Sequence, residues 1–404
     1  MKTKVYKDSL ERPSEILKNG GLVAVPTETV YGLAGNGLDE NAVRNIYEVK
    51  GRPAVKPLSL MVHDSTQMEK FCEDVPPQAY ALAKKFWPGP LTIVMKAKSF
   101  IPSIVLAGGT TVGLRCPDHP MTLKALELSG VPFAAPSANP SGEPSPKNAE
   151  TVLRYFDGRI DAVIDGGDCG IGTESTLIGM AETPYKIFRL GALSREEIAD
   201  ALVENMCVLG ITGPTGCGKT TALDVLASMG ALVIDCDKVY HTLLNDSSEM
   251  KAALRTRFPA AFDGEELDRK ALAAAVFSDE AALSDLNAVT HPFVAAAVRE
   301  KLREHAMNGS TLAAIDAAEL ISSGLGALCT ATFGALAPKE KRVERIMARD
   351  GIDRGAALMR VQAQKSDDYF RQNCGIIIEN NGEFFEFQEK CKKIFTEVIK
   401  VETL

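Results

Sequence analysis

Several residue types and patterns are scarce in this chain of 404 residues, and each absence excludes a class of protein. Aromatic residues make up only 6% of the sequence, with a single tryptophan, and they do not interleave with basic residues as in single-strand nucleic-acid binders. No apolar run approaches the roughly 20 residues of a membrane-spanning helix. The opening residues MKTKVYKD are followed by no apolar segment, which argues against a signal peptide. We therefore expect a soluble, cytoplasmic protein that makes no membrane contact.

The cysteines also lack a pattern. Nine are present, and no two form a Cys-x-x-Cys pair. Their scattered spacing predicts reduced thiols in place of a disulfide framework or a zinc site. Cys217 lies in a glycine-rich segment, where we expect a small filler and not a nucleophile.

Basic residues are not in excess. The net charge is −8 and 45% of the residues are hydrophobic, as in an acidic globular protein. This charge argues against broad electrostatic binding of nucleic acid, so we expect no direct, stable nucleic-acid binding. A local basic cleft is still compatible with this total net charge. The length leaves room for two or three domains.

One stretch near the middle of the chain carries the most specific signal. An apolar strand at 208–212 leads into Gly-x-x-x-x-Gly-Lys-Thr, and a helix-like run follows. This order is that of a P-loop, whose backbone N–H groups surround phosphates. We expect ATP here, with Lys219 at its terminal phosphates and the Thr220 hydroxyl on Mg²⁺. The predicted ATP-binding residues of the loop are Gly213, Gly216, Gly218, Lys219, Thr220 and Thr221.

The residues before the P-loop need a domain of their own, because P-loop domains usually open with this strand. Apolar runs predict strands at Gly21–Pro26, Leu91–Met95, Val112–Arg115 and Ala162–Asp165, and amphipathic periodicity predicts helices at Asn41–Val49, Pro77–Phe86 and Met121–Ser129. This alternation predicts an α/β domain with a mixed sheet. A helix at 193–202, opened by a capping box of Ser194 and Glu197, closes the domain.

The second half continues from the P-loop with strands and helices of its own. Strands at Ala231–Asp235 and Thr311–Asp316 and a closing helix at Glu386–Lys400 predict a three-layer α/β/α domain with a parallel sheet. We place the two domains at residues 1–204 and 205–404, with no flexible tether between them.

Cations and small polar residues cluster at two places in the first half. Lys50-Gly-Arg52-Pro-Ala-Val-Lys56 has three cations in seven residues, which suits a triphosphate or, alternatively, a solvated helix end. The loop at 134–142, with Ser137 and Asn139, offers hydroxyl, amide and N–H groups to phosphates, but an ordinary turn has the same composition. Taken singly, both segments favour the structural interpretation.

Seven motifs in a fixed order change that interpretation. They are Pro26-Thr-Glu-Thr-Val-Tyr31-Gly-Leu33, Lys50-Gly-Arg52-Pro53, Trp87-Pro-Gly-Pro90, Arg115-Cys-Pro117, Ser137-Ala-Asn139, Gly172-Thr-Glu-Ser-Thr176 and Arg189-Leu-Gly191. Over nearly all of residues 5–203 the chain resembles the YrdC-like threonylcarbamoyl-AMP synthases. The resemblance implies an open, twisted α/β domain with a concave basic cavity. It also implies that L-threonine, bicarbonate and ATP give threonylcarbamoyl-AMP and pyrophosphate, for use by a downstream tRNA-modifying transferase system.

The same resemblance implies roles for individual residues. Lys50 and Arg52 would be catalytic and hold phosphates, with Ser137 and Asn139 on the same group from the opposite loop. The threonine and nucleotide pockets would be lined by Thr27, Tyr31, Arg115, Ser175 and Arg189. His63 is not assigned a role, because a loop histidine is more often structural or exposed. An RNA-binding module with the same basic cavity is the alternative, and the acidic total charge disfavours it.

Two carboxylates mark the end of the second strand of the P-loop domain. Asp235 and Asp237 are spaced i, i+2, so both can face the phosphate cavity once the chain turns. One would orient Mg²⁺ and the other would accept a proton from an acceptor hydroxyl. The alternative is a helix N-cap aspartate with a bystander, and the spacing leaves both open.

Further motifs follow in the order Leu267-Asp-Arg269, His291-Pro292, Arg345-Ile-Met-Ala-Arg349-Asp-Gly351, Arg360-Val-Gln-Ala-Gln364 and Ile378-Glu-Asn380-Asn-Gly382. With the P-loop, they resemble dephospho-CoA kinase across residues 207–400. The resemblance implies transfer of the γ-phosphate of ATP to the 3′-hydroxyl of dephospho-CoA. Asp235 or Asp237 would be the base, Lys219 a catalytic cation, and His291 part of the acceptor side. Arg345 and Arg349, on one helix face, would bind ATP from a lid.

Several positions depart from the kinase pattern, and one of them is Ala318, which stands where the family has proline. Where that family usually has Asp-x-Pro-Leu-Leu-Phe-Glu-Ser-Gly, Ser322 occupies the glutamate position, and Thr330 replaces an expected aspartate further on. An acidic group near the acceptor is lost unless Glu319 compensates from the next turn. The alternatives for the second half are therefore a kinase for another small acceptor or a degenerate regulatory P-loop domain.

Overall fold

The computed structural model describes residues 2–277 and 279–402. The chain divides into two compact units that meet in sequence between Asn205 and Met206, and Met307–Gly309 group with the first unit. The outermost residues of the two predicted domains, 1, 403 and 404, lie outside the described residues. In the described part of the chain, no helix is both long and apolar enough to cross a membrane.

The first unit alternates short strands with helices. Its strands are β1 Lys4–Tyr6, β2 Val23–Val25, β3 Gly32–Asn36, β4 Ser59–Met61, β5 Leu91–Lys96, β6 Thr111–Arg115, β7 Phe133–Ala134, β8 Ala162–Ile164, β9 Thr176–Gly179 and β10 Lys186–Arg189. Its α-helices are α1 Glu11–Lys18, α2 Glu40–Lys50, α3 Met68–Phe71, α4 Pro77–Phe86, α5 Ser103–Leu106, α6 Pro120–Ser129, α7 Ala149–Phe156 and α8 Arg195–Val203. The strands and helices predicted from the sequence are confirmed, with ends that differ by up to two residues.

The strands of the first unit form one mixed sheet in the order β1-β8-β2-β3-β7-β4-β6-β5-β9-β10. The pairs β4/β6 and β5/β9 are parallel, whereas β5/β6 and β9/β10 are antiparallel. Strand β2 is wholly buried and packs in a core with Leu17, Phe133 and Ile164, as its continuous apolar sequence predicts. The predicted mixed α/β architecture is confirmed.

Two helices of the first unit show how local sequence sets their ends. The Asp39 side chain caps α2, and the helix stops at Gly51, whose backbone is left-handed. Lys50, the last residue of α2, falls on the buried face of the helix. Helix α8 begins with the predicted capping box, in which Ser194 and Glu197 exchange both hydrogen bonds.

The second unit holds the P-loop. Its strands are β11 Cys207–Thr212, β12 Leu232–Asp235, β13 Phe262–Asp263, β14 Glu266–Leu267, β15 Leu312–Asp316, β16 Ala331–Leu336 and β17 Ile376–Glu379. Its α-helices are α9 Lys219–Ser228, α10 Cys236–Asp246, α11 Ser248–Arg257, α12 Arg269–Phe277, α13 Glu280–Met307, α14 Lys339–Asp350, α15 Arg354–Gln362, α16 Asp367–Asn373 and α17 Phe384–Glu402.

Five of these strands form a parallel sheet in the order β12-β15-β11-β16-β17. The central strand β11 is wholly buried, and residues of α9 and α17, among them Leu226 and Phe395, complete the core beside it. Since the carboxyl ends of parallel strands share one edge, the loop after β11 lies at the same edge as the ends of β12 and β15. The predicted parallel sheet is confirmed.

Candidate active sites

A cavity of about 170 Å³ opens in the first unit, where the ends of several strands converge. Six of the residues predicted for this site line it, namely Tyr31, Arg52, Arg115, Ser137, Ser175 and Arg189. Thr92 and Glu174, which no sequence motif singled out as site residues, line it as well. The lining therefore has three guanidinium groups against one carboxylate, an excess of positive charge that suits an anionic ligand.

Arg115 is held in the cavity wall by a buried ion pair. Its Nη2 donates to Glu28 Oε1 at 2.6 Å and to Thr29 Oγ1 at 2.8 Å, and its Nε donates to Gly89 O at 3.3 Å. The two charged side chains are only 9% and 12% exposed. Because Glu28 compensates its charge, Arg115 offers directed hydrogen bonds to a ligand more than net charge.

Arg189 binds the backbone at the start of β9. Its Nε and Nη2 donate to Ser175 O at 3.1 and 2.8 Å, and Ser175 Oγ lies 2.8 Å from Thr92 Oγ1. Burial lowers the pKa of Arg189, and the charge of Glu174 opposes that shift. The Ser145 hydroxyl, which donates to Glu174 at 2.6 Å, lowers the pKa of that carboxyl. Glu174 is thus ionised at neutral pH.

Arg52 lies on the loop that follows α2. Its Nε donates to Lys56 O at 3.2 Å and its Nη2 to Pro57 O at 3.0 Å, and burial lowers its pKa. Among the described residues, neither Arg52 nor Arg189 has a carboxylate within ion-pair distance, in contrast to Arg115. These two guanidinium groups therefore line the cavity without forming an ion pair with a described carboxylate.

Lys50 does not line the cavity, although it is only two residues from Arg52. Its side chain is buried, with the residue 3% exposed. The ammonium donates to the main-chain oxygens of Ser137 and Asn139. Burial, with repulsion from Arg52, lowers the pKa of Lys50 to about 7. The structure thus brings Lys50 to the backbone of the opposite loop and not to the ligand space.

Three other predicted residues shape the walls. The Thr27 hydroxyl donates to Val30 O at 2.7 Å and closes the turn before β3, so Thr27 is buried behind the lining. The Asn139 side-chain N–H groups donate to two carbonyls of their own loop. Tyr31 does line the cavity, and its hydroxyl donates to Gly167 O at 2.8 Å. Burial raises the pKa of this phenol.

The second candidate site is the P-loop between β11 and α9. Gly213, Gly216 and Gly218 have φ values of 142°, 82° and 103°, which glycine adopts at no steric cost. A Cβ on Gly218 would also collide with the side-chain amide of Asn380. Lys219 opens α9, and its Nζ donates back across the loop to Gly213 O at 2.9 Å. The predicted strand, loop and helix are therefore all present.

Side chains from distant segments hold the P-loop by its main chain, namely Arg342, Arg345, Gln364 and Asn380. Gln364 Oε1 accepts from Thr215 N at 2.8 Å, and Asn380 Nδ2 donates to Cys217 O at 2.9 Å. Arg345 Nη1 donates to Gly216 O at 3.1 Å. Of these four residues, only Arg345 was predicted as a site residue. Arg342, Gln364 and Asn380 lie in or near the quoted motifs, but they are far in sequence from the P-loop residues that they contact.

Cys217 is a buried thiol in the loop. Burial raises its pKa, so the thiolate that a nucleophile requires is disfavoured. This environment is consistent with the predicted role as a small filler.

Three carboxylates stand near the P-loop edge of the sheet. Asp235 and Asp316 are opposite each other in β12 and β15, and Asp235 accepts from Lys238 N at 3.0 Å as the N-cap of α10. Asp237 is exposed in the first turn of that helix. Burial raises the pKa of Asp316, and the charge of Lys219 opposes that shift. Asp316 occupies the first position of the kinase motif compared above but was not predicted as a site residue, although its place at a strand end beside the P-loop is a usable signal.

The two predicted lid arginines differ in what they contact. Arg345 reaches the P-loop, and its Nη2 also donates to Asn380 Oδ1 at 3.2 Å. Arg349 instead binds its neighbour Asp350 through Nε at 2.7 Å and Nη2 at 3.0 Å. The structure thus brings only Arg345 to the loop.

The residues discussed for the acceptor side lie in α13 and in the segment after β15. Burial lowers the pKa of His291, and the charge of Glu319 opposes that shift. Ser322, on the same turn as Glu319, donates its hydroxyl to the Glu319 carboxylate. The departures from the kinase pattern at Ser322 and Thr330 therefore differ in kind. Ser322 lies beside a carboxylate, whereas Thr330 Oγ1 accepts from Val208 N at 3.0 Å, near the start of β11 and away from the P-loop.

A cavity of about 490 Å³ adjoins the P-loop. Its lining includes Gly218, Thr221, Arg345, Asn380 and Phe384. Phe384 is 65% exposed, so it presents a ring on which a nucleobase could stack.

Together, these features define a two-unit α/β protein with a cationic cavity in its first unit and a P-loop in its second. A family model named for Sua5, yciO and yrdC and described as telomere recombination matches residues 15–191. A dephospho-CoA kinase model matches residues 207–386.

Individual relatives match the first half. The threonylcarbamoyl-AMP synthase of Pyrococcus abyssi is 48% identical over 188 residues, 46% of this chain and 55% of that protein. That of Cellvibrio japonicus is 34% identical over 153 residues, 38% of this chain and 81% of that protein. The structure of P. abyssi Sua5 complexed with L-threonine is 29% identical, with a TM-score of 0.48, and the match covers 79% of this chain and 93% of that chain.

The chain therefore belongs, through its first half, to the threonylcarbamoyl-AMP synthase family, and its second half carries a dephospho-CoA kinase family domain. The chain spans about half the length of the relatives from P. abyssi, Bacillus subtilis and Schizosaccharomyces pombe.

Proposed function

We propose that the chain is a bifunctional enzyme with two ATP-dependent reactions. Its first half makes threonylcarbamoyl-AMP from L-threonine, bicarbonate and ATP, releases pyrophosphate, and supplies a tRNA-modifying transferase system. Its second half phosphorylates dephospho-CoA with ATP to give CoA and ADP. No disulfide joins any of the nine cysteines, all of which lie in the described part of the chain, and this fits a reducing, cytoplasmic setting.

The first reaction needs charge neutralisation more than a protein nucleophile. The amine of threonine adds to bicarbonate to give a carbamate and water. A carbamate oxygen then attacks the α-phosphorus of ATP, and the bond from that phosphorus to pyrophosphate breaks. Negative charge accumulates around phosphorus, so cations and hydrogen-bond donors fixed in a pocket lower the barrier.

The observation that carries this proposal is the convergence of Arg52, Arg189 and Ser137 on one cavity in a member of the synthase family. Arg52 and Arg189 lack a described carboxylate partner, so their charge is available to a phosphate chain. Arg115, compensated by Glu28, would direct hydrogen bonds to a carboxylate or carbamate. Tyr31 and Ser175 would line the threonine and nucleotide pockets.

The test is threonine- and bicarbonate-dependent release of pyrophosphate, with threonylcarbamoyl-AMP identified by mass spectrometry. We expect Arg52→Met to lower kcat/KM about a hundredfold or more, because it removes a charged group that binds the phosphates. Lys84→Met, which removes an exposed cation from α4, is the matched control and should retain full activity. A fully active Arg52→Met would rule out this role for Arg52.

The second reaction is an in-line transfer of the γ-phosphate to the 3′-hydroxyl of dephospho-CoA. Lys219 would bind the β- and γ-phosphates, and Arg345 would approach them from α14. Asp235 is occupied as a helix cap, so we assign the proton-accepting role to Asp237. The adenine would stack near Phe384, in the cavity beside Gly218 and Thr221.

Magnesium fits the donors near this loop. The Thr220 hydroxyl and the carboxylate of Asp316 are hard oxygen ligands of the kind that Mg²⁺ prefers. Within residues 2–277 and 279–402, no group of three or more His, Cys, Asp or Glu side chains could hold a metal ion. The ion would therefore be shared with nucleotide oxygens, and when bound it would neutralise charge on the phosphates.

The proposal that dephospho-CoA is the acceptor depends on whether another acidic group replaces the glutamate that the family has at the position of Ser322. Glu319 has its carboxylate against the Ser322 hydroxyl and near His291. An acidic group is thus present on the acceptor side, supplied one turn earlier than in the family pattern. This contact favours dephospho-CoA over the alternative of a degenerate regulatory domain.

Formation of CoA and ADP from dephospho-CoA and Mg-ATP tests the second half. We expect Lys219→Met to lower turnover about a hundredfold or more, since the cation at the transferred phosphate is lost. Lys393→Met, a change at an exposed residue of α17, serves as control. Retained turnover in Lys219→Met would refute the assignment of the P-loop as the catalytic phosphate site.

A further inference from the structure

Lys50 and Arg52 look interchangeable in sequence, but the structure separates them. Arg52 lines the cavity, whereas Lys50 is 3% exposed and lies behind the lining. Both known contacts of the Lys50 ammonium are main-chain oxygens, those of Ser137 and Asn139. A cation that binds phosphate directly has to reach the ligand space, and Lys50 does not.

Lys50, at the end of α2, both donates hydrogen bonds to the loop at 137–141 and accepts one from it. Its ammonium donates to two carbonyls of that loop, and its own main-chain oxygen accepts from Ser141 N at 2.8 Å. The loop is also tied to the residue before β3, where Ala138 N donates to Tyr31 O at 2.7 Å. Lys50 is therefore the cross-brace between the end of α2 and the loop that presents Ser137 to the cavity.

We infer that Lys50 is a positioning residue for the synthase reaction, which acts by fixing the Ser137–Asn139 loop and does not itself contact the triphosphate. This inference rests on the proposed synthase function. Burial makes the charged ammonium costly at this position, whereas its two carbonyl acceptors satisfy donors of either the charged or the neutral amine. Donation to the loop is thus a role that the observed burial permits.

Replacing Lys50 by methionine keeps the length of the side chain and removes the donors. The carbonyls of Ser137 and Asn139 then lose a buried partner, and the cost of an unsatisfied buried group is large enough to increase opening of the loop about tenfold or more. Arg52 donates to Lys56 O and Pro57 O on its own loop, and no hydrogen bond of the described residues joins its side chain to the 137–141 loop. Arg52→Met is therefore the matched variant that removes a cation of the cavity and leaves the 137–141 loop braced.

Hydrogen exchange distinguishes a positioning role of Lys50 from direct binding of phosphate, and the experiment requires no catalytic turnover. The amide of Ala138 donates to Tyr31 O and that of Asn139 donates to Ser137 O. We expect both amides to exchange about tenfold faster or more in Lys50→Met than in the parent full-length protein. The same amides in Arg52→Met should exchange as in the parent. Equal exchange in all three proteins would overturn the inference. The fluorescence of Trp87, the single tryptophan and a residue of the first unit, checks that each variant is folded.

A double-mutant cycle tests the link to catalysis. If Lys50 acts through Ser137, then Lys50→Met with Ser137→Ala should lower kcat to within about threefold of the more impaired single variant, because the shared effect is lost only once. If Lys50 binds phosphate independently, the two losses multiply and the inference is wrong. A parent protein that releases no pyrophosphate would instead refute the synthase proposal, and the exchange experiment would still decide whether Lys50 braces the loop.

Discussion

At the scale of single residues, identical side-chain types have different roles because of where the backbone places their ends. Arg115 is compensated by Glu28, whereas Arg52 and Arg189 are not paired with any described carboxylate. Asp235 caps α10, while Asp237 is exposed in the first turn of the same helix. Charge and spacing pointed to Arg52, Asp235 and Asp237, and the resemblance to the synthase family pointed to Arg115 and Arg189. Their division into structural and ligand-facing groups depends on contacts between distant segments, which spacing does not encode.

Glu319 carries a residue-scale prediction about the acceptor. Its carboxylate accepts from Ser322, so it is held where an acidic acceptor-side group is expected. We expect Glu319→Gln to raise KM for dephospho-CoA about tenfold, since a hydrogen bond to a charged group is weakened. KM for ATP should stay within about threefold of the parent value, because no change is made at the P-loop.

Moving the carboxylate from position 319 to position 322 provides the control for this prediction. Ser322→Glu introduced together with Glu319→Gln returns a carboxylate to the same turn, and it should bring KM for dephospho-CoA back towards the parent value. Steady-state kinetics with varied dephospho-CoA measure both variants. An unchanged KM in Glu319→Gln would show that this carboxylate does not contact the acceptor.

At the scale of elements, local sequence was sufficient wherever a single segment determines the structure. The strand, glycine loop and helix around Lys219 and the capping box of α8 were predicted because their determinants lie within a few residues of each other. The clamp on the P-loop was not predicted. Gln364 and Asn380 lie about 150 residues or more from the loop residues that they bind, and such contacts follow from the packing of the whole sheet.

The capping box gives an element-scale prediction. We expect Ser194→Ala to lower the stability of the first unit by about 1 kcal/mol, because the N–H of Glu197 loses its side-chain acceptor. Ser194→Gly should cost only a few tenths of a kcal/mol, since glycine is tolerated at an N-cap. Denaturant unfolding followed by Trp87 fluorescence measures both variants in the first unit. Equal stability of Ser194→Ala and the parent would mean that the cap contributes nothing in the folded unit.

At the scale of the whole molecule, two families that each bind a nucleotide occupy one chain. The first half matches its synthase relatives, and the second half, from residue 207, matches the kinase family model. The two proposed reactions have no chemical intermediate in common, since one gives an acyl adenylate and the other a phosphorylated ribose. Each proposed site has its own candidate residues for ATP, so we expect each reaction to proceed when the other site is inactivated.

The most direct measurement of this central claim is an assay of both products with one preparation of the full-length protein. Threonylcarbamoyl-AMP and CoA are followed by mass spectrometry in the parent, in Arg52→Met and in Lys219→Met. The account predicts both products from the parent, loss of threonylcarbamoyl-AMP alone in Arg52→Met, and loss of CoA alone in Lys219→Met. A parent that makes only one product, or a variant that loses both, would contradict it.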